Sequence, residues 1–253
     1  LNKMRNYVAT IGVFDGVHIG HQRLLERVRQ LSKDQGKKSK VFVISYPFEY
    51  FLENFDGLIM TVETRAVELA KFVDEVEVID LLQVKDLLAE DFFERYFSRE
   101  CSALIVGEDF RFGKGALADV HKLAEMCQRE RIELEVVEDI VDSTKMRISS
   151  SVIRRYIKDG QIEKATQLLG RDFFIHGFVE RVLEKPCNAV VVGLEDKLVV
   201  PEKGTFKSRE EYSRTTGVVR FADGILFEAE GFRPAQGSIV EIVLLEREEG
   251  DLP

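Results

Sequence analysis

The sequence predicts an α/β chain: a doubly wound domain built on a parallel sheet, followed by a small, mostly antiparallel β domain. Three observations carry this expectation. From Tyr7 to about Leu169, short apolar runs alternate with amphipathic stretches, as in a parallel sheet flanked by helices. From Phe174 onward, short apolar segments follow one another between Gly-, Pro- and Asp-containing turns, and helical spacing largely disappears. The 253 residues, 45% of them hydrophobic, suffice for two folded domains without disulfide staples.

In order along the chain, Tyr7 to Phe14, Lys40 to Ser45, Val76 to Leu81, Ala103 to Val106 and Leu134 to Val137 read as strands. Their β-branched residues run without strict alternation, so both faces are expected to be buried. Between them, helical spacing is kept by Leu24, Leu25, Val28 and Leu31, by Val67, Leu69, Ala70 and Val73, and by Phe92, Phe93, Tyr96 and Phe97. Two further helices, Ser151 to Lys158 and Ile162 to Leu169, are separated by Asp159-Gly160 and stopped by Gly170. That stop sets the expected boundary: a first domain over residues 1–170 and a second over 171–253. In the second, Phe174 to Val182, Ala189 to Gly193, Gly217 to Phe221, Ile225 to Ala229 and Ser238 to Leu245 read as strands of a small barrel or sandwich.

Composition excludes several classes. The 36 basic and 45 acidic side chains leave a net charge of −9, which argues against broad nucleic-acid or anionic-membrane binding. A local anion site is still permitted, since residues 18 to 40 hold seven Lys/Arg against two acids. Cys101, Cys127 and Cys187 are far apart and show no zinc spacing, which points to reduced buried thiols and a cytoplasmic protein. No apolar run approaches the roughly 18 residues of a membrane helix, and Leu1 to Tyr7 carries no signal-peptide pattern.

The most informative segment is Thr10-Ile-Gly-Val-Phe-Asp-Gly-Val-His-Ile-Gly-His21. A strand ends in a turn, and a helix begins at His18 to His21, so its first N–H groups and dipole face the carboxyl edge of the sheet and favour a phosphate. Gly12, Gly16 and Gly20 remove side chains where a nucleotide would come close. His18 and His21 share one face of the first helical turn and can donate to phosphate oxygens as pyrophosphate departs. Alternatively, His18 caps the helix and His21 lies on the surface. No Walker-type GxxxxGK[ST] occurs.

Two other strand-end segments stand beside it. In Val106-Gly-Glu-Asp-Phe-Arg-Phe-Gly113, Phe110 or Phe112 can stack on a flat heteroaromatic ring and Asp109 can accept from a ring N–H, unless the phenylalanines pack in the core. Arg147-Ile-Ser-Ser-Ser-Val-Ile-Arg154 opens a helix with three hydroxyls bracketed by two cations, suited to capping or to a triphosphate.

Together these motifs resemble the HxGH nucleotidyltransferases, which share a Rossmann-like fold, and within them the prokaryotic FAD synthetases. The resemblance implies adenylyl transfer from ATP to FMN, giving FAD and pyrophosphate, with magnesium on the phosphates. By that resemblance His18, His21, Arg147 and Ser150 are catalytic, and Gly12, Phe14, Asp15, Gly20, Ser149 and Arg154 contact ATP, with Asp15 either touching ATP or fixing the turn. Asp109, Phe110, Arg111 and Phe112 take the flavin side, and the metal ligands are left open. The loop Ser45-Tyr-Pro-Phe-Glu-Tyr-Phe51 departs from the family's version, so Tyr46, Pro47 and Phe48 carry over only a flavin-loop role that core packing rivals. The second domain resembles a reduced riboflavin kinase module. Glu180 to Ala189 contains no GxPTAN motif, and kinase activity is expected to be absent or very weak. The rivals are transfer of an adenylyl or cytidylyl group to another phosphorylated metabolite, and a non-catalytic flavin-binding or regulatory descendant. ATP and FMN are the expected partners, without nucleic acid or membrane.

Overall fold

The computed structural model describes residues 5–138, 147–183 and 189–248. The chain forms two compact units: one comprises residues 1–51 and 62–148, the other residues 52–61 and 149–253.

In the first unit, strand β1 (Tyr7–Gly12) leads to helix α1 (Ile19–Asp34) and strand β2 (Lys38–Ile44). Then come α2 (Val62–Leu69), β3 (Glu75–Ile79), α3 (Leu81–Val84), α4 (Ala89–Tyr96), β4 (Cys101–Gly107), α5 (Val120–Glu130) and β5 (Glu133–Val137). All strands pair in parallel, in the order β3-β2-β1-β4-β5. The order reverses between β1 and β4, and ligands of such sheets sit at the carboxyl ends of strands flanking that reversal.

Both faces of the central strands β1, β2 and β4 are covered, which explains their unalternated apolar runs, whereas the edge strands β3 and β5 depart from expectation: glutamates alternate along them, and Val78 and Val136 are exposed. Val8, Ala103 and Ile105 turn toward Val28 and Leu31 of α1. Ala9, Ile11, Leu104 and Val106 turn the other way, toward Phe92 and Phe93 of α4 and Leu123 and Met126 of α5. Val67 departs from expectation: it is 68% exposed, and the inward stripe of α2 is Val62, Arg65 and Leu69. Cys101 and Cys127 are buried free thiols, and burial pushes the Cys127 thiol up to about 12, so neither is a poised nucleophile. Cys187 lies outside the described residues.

The second unit contains α6 (Ser150–Lys158), α7 (Ile162–Leu169) and six strands: β6 (Phe173–Leu183), β7 (Ala189–Leu194), β8 (Gly204–Glu210), β9 (Thr215–Phe221), β10 (Ile225–Glu228) and β11 (Ile239–Arg247). They close an antiparallel barrel in the order β10-β7-β6-β11-β8-β9, which leaves no open edge. The reduction read from the sequence therefore leaves six strands intact. Strand β8 escaped sequence reading because Lys207, Ser208 and Arg209 interrupt its apolar pattern, although Phe206 and Ser208 point inward and are buried. Compactness groups α6 and α7 with the barrel rather than with the sheet, so the units divide at Ser149 where the sequence suggested Gly170. Among the described residues no helix is long and apolar enough to cross a membrane.

The amino end of the sheet is fixed by polar contacts. Asp74 accepts from the Ser39 N–H at 2.8 Å and from its hydroxyl at 2.7 Å, while the Ser39 oxygen accepts from the Asp74 N–H at 3.0 Å. These bonds, led by the backbone N–H, hold the Asp74 carboxyl below its ordinary range. A depressed folded value contributes stability above the unfolded value of about 3.9 and loses it as pH falls. Asp74→Ala is expected to lower stability by about 1 kcal/mol at pH 7. Urea titrations should show the gap to wild type closing as pH drops through the acid range.

Candidate active site

The site is built where β1 and β2 end. After Gly12 and Val13 the chain enters a turn in which Phe14, Gly16 and Val17 have φ of 53°, 80° and 41°. Positive φ at a β-branched residue is strained, costing on the order of 1–3 kcal/mol, and persists only where surroundings over-determine it. Here they do. Val17 is wholly buried and Phe14 is nearly so, the Val17 N–H donates to the Phe14 carbonyl at 3.0 Å, and the Gln22 amide donates to the Val17 carbonyl at 2.9 Å. Asp15 is buried inside this turn.

The turn delivers His18 as the N-cap of α1. Its Nδ1 accepts from the His21 N–H at 3.4 Å, which leaves Nε2 carrying the proton. The two imidazoles stack with centroids 3.5 Å apart and planes 20° from parallel, and Phe14 meets His21 edge-on at 5.1 Å. The cap contact uses Nδ1 alone, so it does not conflict with the phosphate role expected from the motif. Gly20 makes room for this ring: a Cβ there would lie 3.0 Å from His18 Nδ1. The glycine read as clearance for a nucleotide also gives clearance to the histidine. The Ile148 carbonyl passes 4.0 Å from the same point, so the start of the serine-rich motif runs beside the first turn of α1.

Next to this turn lies a cavity of about 430 Å³, within the range of small-molecule sites. It is lined at the strand ends by Gly12 and Ile44, by Tyr46, Pro47 and Phe48 after β2, and by Asp109, Phe110, Arg111 and Phe112 after β4. Tyr46 lies against Tyr50, with centroids 4.2 Å apart, and Phe110 is stacked on Phe112 at 5.5 Å. Phe112 is 5% exposed and belongs to the core, so it supports the wall more than it offers a face. Phe48 is half exposed. Asp109 forms an ion pair with Arg147. This contact joins the motif expected on the flavin side to the one expected on the phosphate side.

Ser149, Ser150 and Arg154 belong to the second unit. The Ser149 hydroxyl caps α6 by accepting from the Val152 N–H at 3.4 Å, and Ser150 is the first helical residue. Arg154 lies over the Phe55 ring at 5.1 Å.

One residue that shapes the site escaped sequence reading. Arg65, wholly buried on α2, donates to the carbonyls of Val13 at 2.5 Å, Ile44 at 3.4 Å and Ser45 at 2.9 Å. It ties together the exits of β1 and β2, from which the histidine turn and the aromatic loop begin. The available signal was a charge in phase with Val62 and Leu69 on an inward helical stripe.

The His18-Ile-Gly-His21 helix start lies at the order reversal of the parallel sheet, and similarity to FAD synthetases makes the protein an enzyme of the nucleotidyltransferase class. A family model described as FAD synthetase matches residues 2–152, and the chain belongs to the FAD synthetase family. A FAD synthetase of Listeria monocytogenes is 29% identical over 211 residues, covering 81% of each chain. A bifunctional riboflavin kinase/FMN adenylyltransferase of the same organism is 30% identical over 183 residues, 69% of this chain and 57% of that one. The chain likewise spans 58% of a bifunctional relative from Buchnera aphidicola that is 29% identical. A crystal structure titled as a macrolide-efflux protein from Streptococcus pneumoniae superposes with a TM-score of 0.81 at 23% identity, over 96% of this chain and 85% of that one, and shares the fold.

Arg65→Lys keeps the charge and loses the fork that reaches three carbonyls. It is expected to cost about 1–3 kcal/mol, read as a lowered urea midpoint with unchanged slope.

Proposed function

We propose that the protein is an FMN adenylyltransferase, forming FAD and pyrophosphate from ATP and FMN. The observation that carries this reading is the stacked His18–His21 pair at the start of α1, set beside the aromatic-walled cavity. An FMN phosphate oxygen attacks the α-phosphorus of ATP, and the bond to the bridging oxygen of pyrophosphate breaks as the new P–O bond forms. No covalent enzyme intermediate is required, since holding the two phosphates in line supplies much of the rate.

Negative charge grows on the departing pyrophosphate. The His18 Nε2–H, the His21 ring and the positive end of α1 are donors for it, and Gly12, Phe14, Asp15 and Gly20 shape the nucleotide side. Arg147 adds a cation, with Ser149, Ser150 and Arg154 completing the phosphate side as the motif implies. Tyr46, Pro47, Phe48 and Phe110 enclose the isoalloxazine, and Asp109 accepts from its ring N–H. Among the described residues no group of three His, Cys, Asp or Glu side chains is placed to hold a metal. Magnesium enters with the nucleotide, as part of the MgATP substrate.

Riboflavin kinase activity is absent or very weak on this reading. Residues 180–189 lack the GxPTAN sequence that would orient a second ATP, although the barrel itself is closed. The net charge of −9 supports small-molecule rather than nucleic-acid partners, and buried free thiols support a cytoplasmic setting.

Incubation with MgATP and FMN, followed by chromatography, should yield FAD, whereas MgATP and riboflavin should yield no FMN. FMN from riboflavin would overturn the loss of kinase activity. His21→Ala is expected to slow FAD formation by about 10²-fold or more while FMN still quenches in a fluorescence titration. Near wild-type turnover would remove His21 from the mechanism.

A further inference from the structure

The pairing of β1 with β2 ends at Gly12 opposite Val43, and both loops of the candidate site begin just past that pair. Val13 opens the histidine turn, and Ser45 opens the loop that brings Tyr46, Pro47 and Phe48 to the cavity. Beyond the last pair the ladder no longer sets one exit against the other, and Arg65 takes over. One guanidinium nitrogen donates to the Val13 carbonyl at 2.5 Å and reaches that of Ile44 at 3.4 Å, while the other donates to the Ser45 carbonyl at 2.9 Å. Both nitrogens belong to one rigid plane, so covalent geometry sets the spacing of the exits. The guanidinium is itself held, because Arg65 is wholly buried on a stripe of α2 whose Val62 and Leu69 are also buried. The contacts continue toward the site on both sides. Phe14 follows Val13, and its ring, 3.2 Å from where a Cβ on Gly12 would lie, meets His21 edge-on at 5.1 Å. The Ser45 N–H donates to the Ile79 carbonyl at 2.9 Å, and its hydroxyl accepts from the Leu81 N–H at 3.0 Å. All of these residues belong to the first unit.

We infer that Arg65 is a positioning residue of adenylyl transfer: by fixing the histidine turn against the aromatic loop it sets where the two substrates meet, and not how tightly either is held. The inference rests on the proposed function, which puts ATP at the turn and FMN at the loop. Arg65 acts through the Val13 and Ser45 backbones and takes no proton in the reaction. When the link is lost, each loop keeps its own contacts to its own substrate, so binding changes little. The chemical step is more demanding. The FMN phosphate oxygen must approach the α-phosphorus in line with the departing pyrophosphate oxygen, and a displacement of about 1 Å costs on the order of 10²-fold in rate.

The test is Arg65→Lys in the full chain, which replaces the fork by a single point of charge. At a temperature where circular dichroism shows the variant folded, the single-turnover rate at saturating MgATP and FMN, followed by rapid quench, should fall about 10- to 10²-fold. The KM values for FMN and ATP should each stay within about threefold of wild type. Asp74→Ala serves as the comparison. It loosens the amino end of the same sheet, and its single-turnover rate should match wild type although its stability is lower. An unchanged rate in folded Arg65→Lys, an equal fall in Asp74→Ala, or a raised KM for FMN with the rate intact would overturn the inference. Should Arg65→Lys not fold, Ser45→Ala decides, since it removes the bond to Leu81 from the same strand exit. Its single-turnover rate should fall about three- to tenfold, and an unchanged rate would overturn the inference. Absence of FAD formation by the wild type would instead remove the parent reading, and the two failures are therefore distinct.

Discussion

A single guanidinium sets the geometry on which the site depends. Where two parallel strands end side by side, their last carbonyls have no further ladder partners, and in a buried position they must find donors elsewhere. Arg65 supplies them for Val13, Ile44 and Ser45 with one planar group. Those carbonyls mark the points where the histidine turn and the aromatic loop leave the sheet. The Ser45 hydroxyl extends the same fixation by accepting from the Leu81 N–H at 3.0 Å, which joins the end of β2 to the start of α3. Two loops expected to hold different substrates therefore start from one rigid frame.

The histidine turn shows what that frame makes possible. Positive φ at Phe14 and Val17 is strained, and it is offset by burial of both side chains and by the Gln22 amide. The strain brings His18 to the cap position and places His21 one turn on, stacked against it. Backbone hydrogen bonding to Nδ1 then sets which nitrogen of His18 carries the proton, and that nitrogen is the one proposed as a phosphate donor.

What was legible in the sequence was whatever depends on local periodicity. The central parallel strands were visible because both of their faces are apolar, and the phenylalanines of α4 kept their helical stripe into the core. The His18–His21 pair was legible because it combines a turn, a helix start and two polar rings within four residues. The rest depends on partners distant in sequence. Arg65 looks like a surface charge until the strand ends above it are known. Phe112 and Phe110 stand two apart in one motif, and the burial of Phe112 beside Phe92, with centroids 6.1 Å apart, assigns Phe112 to the core. Strand β8 fails the apolar test because one of its inward positions is Ser208.

The boundary between the units teaches the same point on a larger scale. A change of texture at Gly170 records where helices give way to strands, which is a local property. Compactness records which surfaces bury one another. By that measure α6 and α7 belong with the barrel, and so does a ten-residue segment that leaves between β2 and α2 and returns. Nothing in the periodicity of residues 52–61 announces this, because the Leu58–Leu198 bridge spans 140 positions and the one local sign of it is a glycine at 57. A chain that crosses between units this way cannot be cut once to give two independent pieces. Any division at the texture boundary would strip α7 of β6 and β11 and leave the Leu58 backbone groups without the partners that satisfy them. The backbone passes from one unit to the other directly after the loop proposed to recognise the flavin.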